Sequence, residues 1–170
     1  MVHIYTGDGK GKTTAALGLT LRACGAGMRV YFAQFLKSGD TSEARCLTQR
    51  FPDVTLECFG GGFVIGAPTP EQIETARAGF DAASKAALGG EYDLVVLDEA
   101  IVAVSLKLLP EEELVDLIER VRDYPKQPEL VMTGRGASRK LIDAADLVTE
   151  MRNVKHYYEE GIAARRGIEF

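Results

Sequence analysis

The stretch Thr6-Gly7-Asp8-Gly9-Lys10-Gly11-Lys12-Thr13-Thr14 decides the reading of this chain. It follows a short apolar strand signal at Val2 and Ile4 and runs directly into a helical pattern. Glycines at positions 7, 9 and 11 let the backbone curl until successive N–H groups point inward, with the positive end of the following helix behind them. Such a curl is an anion cradle, and the residues that follow direct it toward a nucleotide polyphosphate. The Lys12 ammonium is placed to reach terminal phosphates, and the Thr13 hydroxyl is a hard oxygen ligand suited to Mg2+. The consensus G-x-x-x-x-G-K-[ST] asks for glycine where this chain has Thr6, while Gly11, Lys12 and Thr13 keep their places. The expected binding loop is therefore Thr6, Gly7, Asp8, Gly9, Lys10, Gly11, Lys12, Thr13 and Thr14. A glycine-rich turn without a nucleotide is the competing reading; the strand before and the helix after the loop argue against it.

Working outward, the apolar runs Val30-Tyr31-Phe32-Ala33, Leu94-Val95-Val96-Leu97 and Leu130-Val131-Met132 are continuous rather than alternating. Strands covered by helices on both faces read this way, which implies a parallel sheet. Helical signals lie between them. Thr69-Pro70-Glu71-Gln72 combines an N-cap, a first-turn proline and a capping-box glutamine, and Ile73, Ala76, Phe80, Ala83 and Ala87 follow at helical spacing. Pro110-Glu111-Glu112-Glu113 starts a second helix whose apolar stripe is Leu114, Leu117, Ile118 and Val121, so the acidic run reads as a helix start rather than a metal site. Strands alternating with helices predict a doubly wound, mainly parallel α/β sheet, a three-layer P-loop NTPase (RecA-like) sandwich. Ligands are expected beyond the carboxyl ends of the strands.

Asp93-Leu94-Val95-Val96-Leu97-Asp98-Glu99 is an apolar strand ending in paired carboxylates, the Walker B partner of a phosphate loop. One of Asp98 and Glu99 is expected to help hold Mg2+, directly or through water, while the other orients a water or a metal ligand. The residues alone do not assign which does which. Met132-Thr133-Gly134-Arg135 closes another strand and brings Arg135 to the same sheet edge, either as a phosphate clamp or as a surface arginine in a turn. His3, on a strand among apolar residues, reads as a packing residue, and Lys155-His156 stays open between a role and simple solvation.

The chain of 170 residues is expected to form one domain spanning 1–170. A net charge of −5, with basic residues scattered mostly singly, lacks the footprint of a nucleic-acid binder. Cys24, Cys46 and Cys58 form no C-x-x-C pair and read as reduced thiols. The first residues carry no leader pattern and no apolar run approaches a membrane span, so a cytoplasmic protein without a membrane partner is expected.

Taken together, these pieces resemble the P-loop type ATP:corrinoid adenosyltransferases. The resemblance rests on Thr6 to Thr14, then Gln34-Phe35-Leu36-Lys37, Leu97-Asp98-Glu99, Thr133-Gly134-Arg135-Gly136, Ala145-Asp146-Leu147-Val148-Thr149-Glu150-Met151, and a tail with Lys155-His156, Gly161-Ile162 and Gly167-Ile168-Glu169. It covers essentially the whole chain in the correct order. It implies a reaction in which a Co(I) corrinoid attacks the 5′ carbon of the ATP ribose and inorganic triphosphate departs, with ATP held in the reverse sense to ordinary P-loop enzymes. Lys12, the loop amides and Mg2+ would then stabilise charge on the departing triphosphate, and no general base is required.

The resemblance also implies an apolar wedge that displaces the lower axial ligand of cobalt. Gly60-Gly61-Gly62-Phe63-Val64-Ile65 matches the family segment carrying it, with Phe63 retained and Ile65 in place of a frequent tryptophan. Catalytic roles are accordingly expected for Lys12, Thr13, Glu99, Phe63 and Ile65, with Thr13, Asp98 and Glu99 at the metal. Ile101 stands where members often carry asparagine, and the extra N-terminal segment that covers the site in some members is not expected ahead of the first strand. A homodimer and an electron-donor flavoprotein are further expectations from the resemblance. The competing functions are a generic P-loop ATPase or small-molecule kinase, and a nucleotide-gated corrinoid carrier without turnover.

Overall fold

A computed structural model describes residues 1–62, 64 and 66–169. Its framework is a six-stranded sheet in which every pairing is parallel: β1 (Val2–Thr6), β2 (Val30–Phe35), β3 (Val54–Phe59), β4 (Leu94–Asp98), β5 (Glu129–Thr133) and β6 (Leu147–Glu150). The order across the sheet is β3-β2-β4-β5-β1-β6. Connections run through α1 (Lys12–Gly25), α2 (Ser42–Arg50), α3 (Pro70–Leu88), α4 (Ala100–Ser105), α5 (Glu111–Asp123) and α6 (Arg139–Ala144). No helix among the described residues is long and apolar enough to cross a membrane.

Side-chain alternation along the strands divides the core in two. Tyr31, Ala33 and Phe35, Val95 and Leu97, Leu130 and Met132 pack with α3, α4, α5 and α6 on one face. Val30 and Phe32, Leu94 and Val96, and Val131 pack with Ala16 and Ala23 of α1 and Leu47 of α2 on the other. Every residue of β2 and of β4 is buried, which is why these segments read as unbroken apolar runs. Burying each large apolar side chain among them contributes roughly 1.5–3 kcal/mol. The α3 start carries the capping box read from the sequence: Thr69 Oγ1 accepts from Gln72 N at 3.3 Å and Gln72 Oε1 accepts from Thr69 N at 3.0 Å.

Two strands, β3 and β6, had no clear apolar-run signal. Both are edges of the sheet. β3 alternates in burial, and all four residues of β6 are exposed, so neither needs the apolar composition of a central strand. The register levels the carboxyl ends of the inner strands: Gln34 lies beside Asp98, Leu97 beside Met132, and Tyr5 beside Thr133. Residues leaving β1, β2, β4 and β5 therefore meet in one row.

Candidate functional site

The loop between β1 and α1 is shaped by backbone contacts that only glycine permits. Gly9 N donates to Met151 O at 2.7 Å, and a Cβ at Gly9 would lie 2.7 Å from that oxygen and from the Arg152 carbonyl carbon. Gly11 enters the helix with φ +124°, a left-handed conformation strained for other residues. The loop is thus clasped by the segment following β6. Thr6 is buried and accepts a 3.2 Å hydrogen bond from Ala137 N on its hydroxyl, tying the loop's first residue to the β5–α6 connection.

Lys12 is buried at 7 % exposure, and its ammonium donates to Gly7 O at 2.6 Å and Gly9 O at 2.7 Å. Two of its three N–H groups steady the loop, leaving the third for a ligand. Burial, with a smaller contribution from the Arg135 guanidinium, holds its pKa below the ordinary lysine value.

Asp98, with no exposed surface, is the hub of the row. Its Oδ1 accepts from Thr13 Oγ1 at 2.9 Å and Thr133 Oγ1 at 2.8 Å, and its Oδ2 accepts from Lys37 Nζ at 3.0 Å and Gln34 Nε2 at 3.5 Å. Thr133 in turn accepts from Glu99 N at 2.9 Å. β5 lies between β1 and β4, so Thr133 bridges the loop side of the site to the acidic strand.

Glu99 adopts φ +65°, as Leu36 does at the end of β2 with φ +63°. Two non-glycine residues in the left-handed region at neighbouring strand ends mark a place where the fold holds its backbone under strain, as ligand sites often do. Burial raises the Glu99 pKa, the Asp98 charge raises it further, and Lys37, Lys12 and Arg135 work against both. Burial lowers the Lys37 pKa, but its ion pair and hydrogen bond with Asp98, together with Glu43, outweigh that and leave it raised.

Above this row opens a cleft of about 520 Å³. Gly9 through Thr14 form its floor; Lys37, Glu43, Glu99 and Arg135 stand on its walls; His156 and Gly167 to Glu169 of the C-terminal segment complete it. Of the residues singled out in the sequence, Gly9, Lys10, Gly11, Lys12, Thr13, Thr14, Glu99 and Arg135 are brought together here. Thr6, Gly7, Asp8 and Asp98 are not part of the lining; Asp98 acts from beneath it through Thr13. His156 joins the cleft, whereas exposed Lys155 pairs with Glu160 at 3.2 Å. His3 sits away from it, with Nε2 3.1 Å from Glu129 Oε2. Ile101 is buried in the core and offers the cleft nothing.

A second cleft of about 260 Å³ lies next to the first, since Leu36 lines one and Lys37 the other. It is lined by Phe59, Gly60, Gly61, Gly62 and Val64, by the α3 N-cap Thr69, and by Gln72, Thr75 and Ala76 of α3. Phe63 and Ile65, expected in this segment as the wedge, lie outside the described residues.

A charged loop, a buried aspartate and two adjoining clefts fit many nucleotide enzymes, but the sequence match is narrower. The family model for ATP:corrinoid adenosyltransferase BtuR/CobO/CobP matches residues 1–170. The chain belongs to this family. A corrinoid adenosyltransferase of Pseudomonas aeruginosa is 36% identical over 169 residues, covering 98% of this chain and 82% of that protein. Its counterpart in Escherichia coli K12 is 34% identical over 171 residues, covering 100% and 85%, and the Salmonella typhimurium corrinoid adenosyltransferase CobA is equally similar at 34%.

Within the family framework, sequence reasoning missed the roles of Lys37, Gln34 and Thr133. Each follows or ends an apolar strand, and a polar residue at a strand's carboxyl end was the available signal. The part played by Tyr157 and Glu169 left no local signal, because their partner Lys10 is more than 140 residues away in sequence.

Proposed function

We propose that this protein transfers the 5′-deoxyadenosyl group of ATP to a Co(I) corrinoid, serving cobalamin biosynthesis or salvage. The observation that carries the reading is the family match across residues 1–170, together with a loop and a lysine on one cleft and a buried aspartate beneath it. In the reaction the cobalt lone pair forms a Co–C bond to C5′. The C5′–O bond breaks with its electrons leaving on triphosphate, and cobalt passes formally from Co(I) to Co(III). Lys12 and the amides of Lys10 to Thr13 would supply donors to that growing negative charge, and the ammonium's position is already set by the loop carbonyls. No side chain has to remove a proton, so the protein's work is alignment and exclusion of water.

Mg2+ fits the donors present. Thr13, Asp98 and Glu99 offer only hard oxygens; Thr13 and Glu99 line the cleft and would share the ion with phosphate oxygens, Asp98 would act on it from beneath through Thr13, and the ion would supply Lewis-acid stabilisation of the leaving triphosphate. Among the described residues no cluster of three or more His, Cys, Asp and Glu side chains could hold a metal ion. Arg135, which lines the same cleft as Lys37, is assigned as a phosphate clamp.

The corrinoid is assigned to the second cleft, and the wedge role expected from the resemblance is given to Phe63 and Ile65; Leu36 on this cleft precedes Lys37 on the first, which supports the assignment. The same reading takes residues 1–170 as one P-loop NTPase (RecA-like) domain, active as a cytoplasmic homodimer with a flavoprotein as electron donor. The test is anaerobic incubation with Mg-ATP and chemically reduced corrinoid. Triphosphate and a light-sensitive adenosyl product are expected; ADP and phosphate would instead establish an ordinary ATPase or kinase. Nucleotide-dependent corrinoid binding without product would establish a carrier.

A further inference from the structure

Lys10 stands between two loop glycines, yet its charge is committed elsewhere. Its Nζ donates to Glu169 Oε1 at 2.7 Å, to Tyr157 Oη at 2.8 Å and to Ile168 O at 3.1 Å. Glu169 also accepts from Arg165, through N at 2.7 Å, Nε at 3.3 Å and Nη2 at 3.2 Å, and from the Tyr157 hydroxyl. The Arg165 guanidinium stacks 4.8 Å from the Tyr157 ring centroid. The result is a closed knot between the phosphate loop and the C-terminal segment, and it places a carboxylate on the wall of the cleft that takes the polyphosphate. A carboxylate there repels the ligand and occupies a lysine that would otherwise face it.

We propose that Glu169 is an internal counter-anion that draws Lys10 off the polyphosphate and so limits how tightly the cleft retains triphosphate, the leaving group that must depart after each turnover. The inference rests on the triphosphate lying on the Lys12 loop, as proposed above. Removing the Glu169 charge abolishes one repulsion and releases Lys10 toward the phosphates. Both changes act in the same direction, and each is the size of an exposed charge interaction, so binding tightens by roughly threefold to tenfold.

The experiment is calorimetric titration of the full chain with inorganic triphosphate and Mg2+, at low and at high salt. Glu169→Gln is expected to tighten binding by about threefold to tenfold at low salt, with the gain shrinking at high salt. Adding Lys10→Met to Glu169→Gln is expected to cancel the gain. Arg165→Met, which loosens the tail but spares the Lys10–Glu169 pair, is expected not to tighten binding; tightening there as large as in Glu169→Gln would attribute the effect to tail mobility and overturn the inference. Unchanged or weaker binding by Glu169→Gln overturns it as well. Lys12→Ala separates the two levels: if it binds triphosphate as the unaltered protein does, the placement on the loop itself falls. If it loses binding while Glu169→Gln changes nothing, only the counter-anion role falls.

Discussion

Replacing Asp98 with asparagine is the sharpest probe of the row of strand ends, because the shape is kept and only the charge and one acceptor are lost. The carboxylate is fully buried and accepts from two threonine hydroxyls, Lys37 and Gln34. If the amide nitrogen faces Lys37 and Gln34, donors oppose donors. If it turns toward the hydroxyls, Thr133, already accepting from Glu99 N, must withdraw its own proton from this group. In either arrangement a buried donor goes unpaired, at about 1–3 kcal/mol, and a charge-assisted bond becomes neutral, at about 1 kcal/mol more. The expected loss of unfolding free energy is about 3 kcal/mol. That is the lower end for breaking a buried pair, because Lys37, with 24% of its side chain exposed, can lean toward Glu43 at 3.7 Å and toward water. Urea unfolding of the ligand-free protein measures it. Combining the change with Lys37→Met is expected to cost less than the sum of the single changes by about 1–3 kcal/mol, since each removes the other's partner. A loss below about 1 kcal/mol for Asp98→Asn, or strict additivity with Lys37→Met, would refute the account of Asp98 as a charge-paired hub.

Lys12→Ala is expected to lower adenosylation by roughly 10²–10³, the scale of one lost charge-stabilising donor, read as product formed under anaerobic conditions; unchanged turnover would remove Lys12 from the mechanism. Phe63→Ala is expected to slow turnover that starts from Co(II) more than turnover from preformed Co(I), and equal losses would point to packing damage alone. Asp146, held below the ordinary carboxylate value chiefly by the 2.7 Å hydrogen bond from Val2 N and also by Arg122, ties β1 to the segment before β6. A depressed carboxylate stabilises above its unfolded pKa and loses that contribution as pH falls through the folded one. Asp146→Ala should therefore cost about 1 kcal/mol at neutral pH, with the difference from the unaltered protein closing below about pH 4; a gap that persists in acid would contradict the assignment. Val96→Ala, buried on the α1 face, is expected to cost roughly 2 kcal/mol in thermal or urea unfolding while leaving product identity unchanged, and a change of product would be inconsistent with a purely structural role.

Much of the site was legible before any tertiary contact was known, and its gaps have a physical pattern. The glycine spacing from Gly7 to Gly11 and the acidic end of β4 are local devices: each works through backbone geometry or through its own strand, so each leaves its mark within ten residues. The continuous apolar runs of β2 and β4 follow directly from burial on both faces. The capping box at Thr69 and Gln72 is local in the same way. By contrast, edge strands β3 and β6 escaped the apolar-run test because one side of each meets solvent or no strand at all.

The amino-acid order by itself determined that a glycine-rich loop would follow the first strand, that carboxylates would end a buried one, and that helices would cover a parallel sheet. Only the tertiary structure decided that β5 would lie between β1 and β4, making Thr133 the bridge from Glu99 to Asp98, and that the last residues would return to seize Lys10. Periodicity and capping act over a turn or a strand, whereas the pairing of distant segments depends on which surfaces bury each other once all of them have formed.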